Sequence, residues 1–183
     1  MTILQSEKLL YHTSCMLIEQ IDLEQCKKTN DFGRGFYLTT SKDQALRFVN
    51  AALRKGGEGL SSGCILSYTF EQIDSLRAYE FQTTDAEWLH CICGHRRGIE
   101  QITALWESYD VLAGKVANDD TNATLTFYLN GAYGEVGSED AVAAALRQLR
   151  PEVLENQICL KTQSAVNCLK FAGYEKAAKY ERG

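Results

Sequence analysis

The chain has 183 residues, of which 45% are hydrophobic and 23% are charged, and its formal net charge is −5. This composition suits one domain with a sizeable core, and the negative charge excludes a generally basic surface built to hold nucleic acid, while a local basic patch stays open. No apolar run approaches the roughly 18 residues of a membrane helix, and residues 1–8 lack a signal-peptide pattern, so we expect a cytoplasmic protein without a membrane partner.

The first third of the chain predicts two strands, a loop and a helix. Residues 9–14 and 35–40 are short strand-like runs, and residues 16–30 predict a connecting loop with one helical turn. Ser41 has the character of a helix N-cap, and apolar residues follow it at helical spacing. These residues are Ala45, Phe48, Val49, Ala52 and Leu53.

The middle of the chain predicts two further strands and a second helix. Residues 64–70 and 109–117 are rich in strand-forming side chains. Residues 84–97 predict a helix capped by Thr84, with Trp88 in the core.

Two more helices are predicted over residues 125–133 and 138–149. Ser138 caps the second of these helices, and Pro151 stops it. Trp106, which lies between the helix predicted over residues 84–97 and the strand predicted over residues 109–117, is predicted to lie in the core.

The end of the chain predicts a last strand and a last helix. The strand covers residues 157–162, and Thr162 caps a helix that carries Leu169 and Lys170. Because strands and helices mingle without a regular βαβ order, the expected class is α+β, with residues 1–183 as a single domain.

Two closely spaced glycines mark residues 31–40, whose sequence is DFGRGFYLTT. Glycine lets the backbone turn sharply or approach a ligand closely. The strand that follows puts Tyr37 on one face of a sheet and Phe36 and Leu38 on the other. The segment therefore predicts a place for a planar ring, although a simple bulge with a core tyrosine is the plainer alternative.

Seven cysteines and a short basic run need an explanation. The odd number of cysteines predicts free, largely buried thiols. Cys91 and Cys93 lie near His95, but this spacing lacks a zinc spacer and no second ligand pair follows, so we expect no metal. His95, Arg96 and Arg97 predict the solvated, positively charged end of a helix.

Three segments of the chain resemble poly(ADP-ribose) polymerases. Residues 32–45 resemble the NAD-binding segment of those enzymes, and residues 11–14, YHTS, resemble the histidine motif on their first strand. Residues 156–160, NQICL, together with residues 165–171, resemble their last catalytic strand. The chain is thus similar to a compact, bacterial-type ADP-ribosyltransferase of the His-Tyr-Glu kind, and most similar to the DUF3990 group. This resemblance implies two facing, mostly antiparallel sheets that form an NAD cleft, with flanking helices.

The resemblance implies roles for three residues that contact NAD. His12 would hydrogen-bond the adenosine ribose hydroxyl, and the backbone of Thr13 would grip the nicotinamide amide. Tyr37 would stack on the nicotinamide ring.

The resemblance also implies cofactor contacts around the glycine segment. Gly33 and Gly35 would let the backbone pass close to NAD. Thr40 or Ser41 would supply a hydroxyl to the amide. Arg34 would meet the pyrophosphate or point to solvent.

The third catalytic position departs from the family pattern. The family has a glutamate there, which holds the nicotinamide ribose and stabilises a developing cation. Glu155, Asn156 and Gln157 compete for this position, and a shift of one residue changes the face of the strand. We favour Gln157, with Asn156 as a cofactor contact. An amide can hold a ribose hydroxyl but lacks the charge, which favours single transfer over chain elongation.

The expected function is that of an NAD-dependent mono-ADP-ribosyltransferase. NAD would be its substrate, and the acceptor would be a protein or a nucleic acid. A toxin or defence effector held by an antitoxin is the expected setting. The alternatives are a catalytically weak module that binds NAD or ADP-ribose, and an NAD glycohydrolase.

Overall fold

A three-stranded antiparallel sheet forms around the longest run of strand-forming residues. The computed structural model describes residues 8–71, 75–117, 119–149 and 154–179, apart from the side chains of residues 119 and 120. In the sheet, β3 (Ser62–Phe70) lies between β1 (Leu10–Ser14) and β7 (Leu169–Ala178). The strands predicted over residues 9–14 and 64–70 are confirmed.

A second sheet has four strands in the order β2-β6-β5-β4. Its strands are β2 (Phe36–Leu38), β4 (Ala78–Glu80), β5 (Val111–Lys115) and β6 (Asn156–Leu160). The pairs β2–β6 and β6–β5 are antiparallel, and β4–β5 is parallel. The short edge strand β4 was not predicted, because three residues carry too little periodicity to recognise.

An isolated bridge between Tyr11 and Thr39 connects the two sheets. Tyr11 in β1 exchanges two backbone hydrogen bonds with Thr39, just after β2, at 2.8 and 2.9 Å. Residues 15–35 connect β1 to β2 and contain one 3₁₀ turn, Leu23–Gln25, within the loop predicted over residues 16–30.

Six helices are formed by the described residues: α1 (Lys42–Gly56), α2 (Ala86–Arg97), α3 (Glu100–Thr103), α4 (Asp119–Leu129), α5 (Glu139–Leu149) and α6 (Gln163–Asn167). Their capping side chains accept hydrogen bonds from the first-turn amides: Ser41 from Gln44, Ser138 from Ala141, and Thr162 from Ala165. These three predicted caps are confirmed. No helix among the described residues is long and apolar enough to cross a membrane.

The predicted start of α2 is wrong by one residue. Asp85, rather than Thr84, is the N-cap, and its carboxylate accepts from the backbone N–H of Trp88 at 3.1 Å. Aspartate is the stronger cap because its charge also suits the positive end of the helix. The predicted helix over residues 125–133 is shifted as well, since α4 ends at Leu129.

The predicted C-terminal helix is mostly a strand. After Thr162, α6 ends at Asn167, and residues from Leu169 onward form β7, which pairs with the whole length of β3. Long-range hydrogen bonding with an open sheet edge outweighs the weak helical spacing here. The strand over residues 157–162 is therefore β6, not the last strand of the chain. Pro151, the predicted helix stop, lies outside the described residues.

Alternating side chains divide the core into layers. In β6, Ile158 and Leu160 face the three-stranded sheet, whereas Cys159 faces the cluster under α2, α4 and α5. On β3, Ile65 faces α1, while Leu66 joins the cluster between the sheets. The order of layers is therefore α1, three-stranded sheet, four-stranded sheet, and the remaining long helices. Trp88 and Trp106 are buried in the last cluster, as predicted.

Candidate functional site

A cavity of about 590 Å³ opens where β1, β2 and α1 meet the connecting loop. Its volume is in the range of small-molecule sites. Five of the predicted site residues line it: His12, Thr13, Gly35, Tyr37 and Gln157. The other five do not line it: Gly33, Arg34, Thr40, Ser41 and Asn156.

His12 is held in one tautomer. Its Nδ1 lies 2.7 Å from the carbonyl oxygen of Tyr37, which only accepts, so Nδ1 carries the proton and donates. The ring stacks on Phe36 with centroids 4.2 Å apart. Burial lowers the pKa of His12 below its ordinary value, although the hydrogen bond to Tyr37 opposes this effect. The ring is therefore neutral near pH 7, and Nε2 is left as an acceptor.

Thr13 offers an open backbone edge beside His12. Alternate residues of an antiparallel strand point their backbone groups to the same side. The backbone N–H and C=O of Tyr11 point away from β3 and form hydrogen bonds with Thr39. Thr13 therefore presents its N–H and C=O on that side, and neither has a backbone partner among the described residues. The hydroxyl of Thr13 donates to the carbonyl of Ala45 in α1 at 2.7 Å.

Tyr37 closes the glycine segment that precedes it. Its hydroxyl accepts from the backbone N–H of Phe32 and donates to the carbonyl of Gly33, both at 2.9 Å. Burial raises the pKa of this hydroxyl well above its ordinary value, so it stays protonated. The ring is thus fixed from its far end while the residue lines the cavity.

The two glycines have a packing requirement within the protein itself. Gly33 has a φ of +82°, and a Cβ there would lie 2.7 Å from Nδ1 of His95. A Cβ at Gly35 would clash with Sγ of Cys159 and would lie 2.7 Å from the carbonyl oxygen of Leu160. A side chain at either position would force the segment away from α2 or β6. Their implied contacts with NAD stay predictions.

The three candidates at the start of β6 have different surroundings. Glu155 forms an ion pair with Arg47 of α1. Asn156 and Gln157 alternate in the strand, so their side chains lie on opposite faces of the sheet. Gln157 is buried and is the one of the three that lines the cavity.

Asp31 is a buried carboxylate that sequence reasoning missed as a functional residue. Its Oδ1 accepts a hydrogen bond from Nε of Arg96 at 2.8 Å and lies 2.7 Å from Nη2 of the same guanidinium in an ion pair. Its Oδ2 accepts from the backbone N–H of Ala117 and from Nε2 of Gln157, both at 2.9 Å. Arg96 also donates to Asn122. The acidic residue at the start of the glycine motif was the available signal, but its partners are far away in sequence.

The predicted basic helix end is only partly solvated. Arg97 is exposed, but Arg96 holds Asp31, and His95 is buried against Gly33. The solvated interpretation is therefore wrong for His95 and Arg96. The long side chain of Arg96 places its guanidinium against Asp31, because a buried carboxylate needs a charged partner.

The predicted pyrophosphate residue lies away from the cavity. Arg34 forms an ion pair with Glu24 near the surface. Lys27 and Lys55 line the cavity instead. Phe48, one of the apolar residues predicted at helical spacing in α1, is 41% exposed and also lines the cavity. The sequence alone does not distinguish the buried face of α1 from the adjoining face of the same helix, which lines the cavity.

The hydroxyls next to β2 serve the backbone. The side chain of Ser41 caps α1. The hydroxyl oxygen of Thr39 accepts from the backbone N–H of Ser41 at 3.0 Å, and the same hydroxyl donates to Oε1 of Gln44. The predicted contact of Thr40 or Ser41 with the nicotinamide amide stays a prediction.

The cysteines are free thiols, as predicted for the described residues. Cys64, Cys91, Cys93 and Cys159 are buried, and burial raises the pKa of Cys93 to about 12. The described residues contain no group of three or more His, Cys, Asp or Glu side chains arranged to hold a metal ion.

Comparison with known proteins identifies the family of the chain. Residues 9–171 match the family described as protein of unknown function (DUF3990). The match covers most of the chain, from β1 into β7, and the chain therefore belongs to the DUF3990 family. No curated protein and no solved structure matches the chain.

Proposed function

We propose that this protein is an NAD-dependent mono-ADP-ribosyltransferase that modifies a macromolecule, either a protein or a nucleic acid. The observation that carries the proposal is that His12, Tyr37 and Gln157, which are far apart in sequence, line one cavity. His12 and Tyr37 match the His-Tyr-Glu pattern, and Gln157 is the residue that we favour for its third position, where the family has a glutamate. The volume of the cavity and its mixture of aromatic and polar side chains suit a nucleotide.

The assigned roles use atoms that the fold leaves open. The neutral His12 would accept a hydrogen bond from a ribose hydroxyl through Nε2. The open N–H and C=O of Thr13 complement a primary carboxamide, which has both an acceptor and a donor. Tyr37 would stack on the nicotinamide ring, since its own hydroxyl is already bonded.

Transfer then follows from breaking one bond and making another. The bond between ribose C1′ and the nicotinamide nitrogen breaks, and the electron pair leaves with nicotinamide, which becomes neutral. An acceptor nucleophile bonds to C1′ and loses its proton to solvent. Positive charge grows on the ribose in between, so an oxygen lone pair near the 2′-hydroxyl stabilises the transition state more than the ground state. Gln157 would supply that oxygen.

We assign the diphosphate to Lys55 and Lys27 rather than to Arg34. Both lysines line the cavity, and neither forms an ion pair with the described part of the chain. Arg34 is already paired with Glu24. Phe48 would contact the adenine from α1.

A module that binds NAD without turnover is the second candidate. The observation in its favour is the amide of Gln157, because a neutral group stabilises a cation less than a carboxylate does. An effector role as a toxin, restrained by an antitoxin, belongs to the main proposal and rests on the resemblance alone.

The test is incubation with NAD labelled on the adenylate phosphate, in a lysate that retains its nucleic acids. Released nicotinamide and labelled macromolecules are measured together, and nuclease and protease treatments identify the acceptor. Tyr37→Ala should lower transfer by about 10²-fold, because the ring that orients nicotinamide is lost. Tyr37→Phe keeps the ring and should retain most of the NAD binding.

The matched control is Tyr174→Ala, since Tyr174 is 50% exposed on β7 and lies outside the cavity lining. It should leave transfer unchanged. Nicotinamide release without labelling would indicate a glycohydrolase. NAD binding without release would indicate the module, and an unchanged Tyr37→Ala would contradict the site itself.

A further inference from the structure

We propose that Asp31 is a positioning residue that turns the amide of Gln157 so that its carbonyl oxygen faces the cavity. In this arrangement the two residues share the task of the single glutamate: Gln157 supplies the oxygen, and Asp31 sets its direction and polarises it. The catalytic consequence rests on the proposed function, whereas the orientation itself does not.

The orientation of the Gln157 amide follows from its neighbours. Nε2 lies 2.9 Å from Oδ2 of Asp31 and 3.3 Å from the carbonyl oxygen of Lys115. A backbone carbonyl and a carboxylate both accept, so the NH₂ end must face them. A flipped amide would set three oxygens against one another. Oε1 is therefore directed away from Asp31, and it has no hydrogen-bond partner among the described residues.

Asp31 can impose this orientation because it is itself fixed. Its Oδ1 accepts a hydrogen bond from Arg96 and forms an ion pair with the same guanidinium, and its Oδ2 accepts two hydrogen bonds, from Ala117 and Gln157. All of these partners are donors, so both oxygens of Asp31 act as acceptors in fixed directions. The paired charge of Arg96 offsets the cost of burying it.

The same geometry explains why a glutamate is absent at position 157. A carboxylate there would lie about as close to Oδ2 of Asp31 as Nε2 does now, at 2.9 Å, with the Lys115 carbonyl beside it. Two like charges at this distance in a buried site repel strongly. With Asp31 in place, an amide is the group that fits.

The hydrogen bond from Gln157 also affects the chemistry at Oε1. An amide that donates to a carboxylate becomes more polarised, so its oxygen becomes a stronger acceptor. That oxygen would meet the ribose hydroxyl where positive charge develops. Loss of Asp31 should therefore lower kcat more than it raises KM for NAD.

The experiment exchanges the two groups. Four proteins are compared with purified NAD: the unmodified chain, Asp31→Asn, Gln157→Glu and the double variant. In Asp31→Asn the new NH₂ group faces Nε2, so Gln157 should flip and turn its NH₂ toward the cavity. In the double variant the amide introduced at position 31 donates to the carboxylate introduced at position 157, which restores one hydrogen bond with donor and acceptor reversed and keeps the net charge. The backbone N–H of Ala117 loses its acceptor in both proteins that carry Asp31→Asn, so this cost is common to them.

We expect each single variant to lose at least tenfold in kcat for nicotinamide release, and Gln157→Glu also to show a lowered Tm. The double variant should have a kcat at least tenfold above that of Asp31→Asn. Its Tm should be higher than that of Gln157→Glu. Glu135→Gln, which removes an exposed charge with no ion pair among the described residues, should match the unmodified chain. A double variant whose loss of kcat equals the product of the two single losses would overturn the proposal.

A readout without NAD separates this inference from the proposed function. The side-chain N–H signals of Gln157 in ¹⁵N-labelled protein should be protected from exchange, and they should move and lose protection in Asp31→Asn. Signals that stay unchanged would overturn the proposed orientation, even in an active enzyme. If the unmodified chain neither binds nor cleaves NAD, the proposed function fails, while these signals and the Tm cycle still decide the orientation.

Discussion

At the residue scale, His95 shows how the glycine segment depends on a side chain in α2. The imidazole is buried behind Gly33, and its Nε2 has no hydrogen-bond partner among the described residues. Burial, with a smaller contribution from Lys161, lowers the pKa of His95 to about 4, while Glu107 opposes the shift. A proton on His95 would therefore be a buried charge directly beneath the turn that holds Tyr37.

This arrangement predicts a loss of stability in mild acid. An unfolded histidine titrates at about pH 6.5, so between there and about pH 4 the unfolded chain binds a proton that the folded chain does not. The free energy of unfolding should fall as pH falls, by about 2 kcal/mol from pH 7 to pH 5 for this residue. His12, whose pKa is also lowered by burial, contributes in the same direction.

Urea denaturation of His95→Gln at both pH values tests this prediction. The variant should lose most of the difference between pH 7 and pH 5, whereas His90→Gln, which keeps His95, should retain it. An identical pH dependence in His95→Gln and the unmodified chain would contradict the prediction.

At the element scale, α1 serves both the core and the cavity through two faces. Ala45, Val49 and Leu53 are buried against the three-stranded sheet. Phe48 and Lys55, seven residues apart and thus on one side of the helix, line the cavity. One helix therefore fixes the position of a cation and an aromatic ring relative to His12, whose strand it contacts through Thr13.

Lys55 and its neighbour Arg54 offer a matched test of the cationic wall. Lys55→Gln should weaken NAD binding by about three- to tenfold at low salt, because a partly exposed charge near a diphosphate contributes modestly. The effect should shrink at high salt, and kcat should change little. Arg54→Gln removes the same charge from the last turn of α1 but does not line the cavity, so it should bind NAD normally. Titration calorimetry at two salt concentrations measures both, and equal losses would argue against a role for Lys55 in the cavity.

At the scale of the whole molecule, the four-stranded sheet joins two core clusters. Leu112 and Cys159 face the helices, while Val111 and Ile158, next to them in the same strands, face the other sheet. Neither cluster can be lost without exposing a face of the strands that the other needs. The chain should therefore unfold as one cooperative unit.

Substitutions in the two clusters test this coupling. Leu66→Ala between the sheets and Leu89→Ala under the helices should each lower the free energy of unfolding by about 2–5 kcal/mol. Both tryptophans lie in the helix-side cluster, so their fluorescence reports on one cluster and far-UV circular dichroism on the whole fold. The two signals should shift together in both variants, and Leu105→Ala, at a side chain 70% exposed, should shift neither. A Leu66→Ala protein with separated transitions would indicate two independent units.

The elements that sequence reasoning predicted well are those that depend on neighbours in the chain. Ser41, Ser138 and Thr162 cap helices through amides three residues on, and such contacts can be read locally. Placing Phe36 and Leu38 opposite Tyr37 needed only the alternation of a strand. The same local reasoning misplaced β7, because its helical spacing is weak and its partner, β3, lies about a hundred residues earlier.

By itself, the sequence determined the α+β class, most strand and helix positions, and the segments that carry His12, Tyr37 and Gln157. Only the tertiary structure decided which atoms of those segments are open and which are already bonded. Asp31 and Gln157 are 126 positions apart, and Asp31 and Arg96 are 65 apart. No local pattern encodes such pairs, because a buried carboxylate takes its partners from whichever strands and helices the folded chain brings beside it.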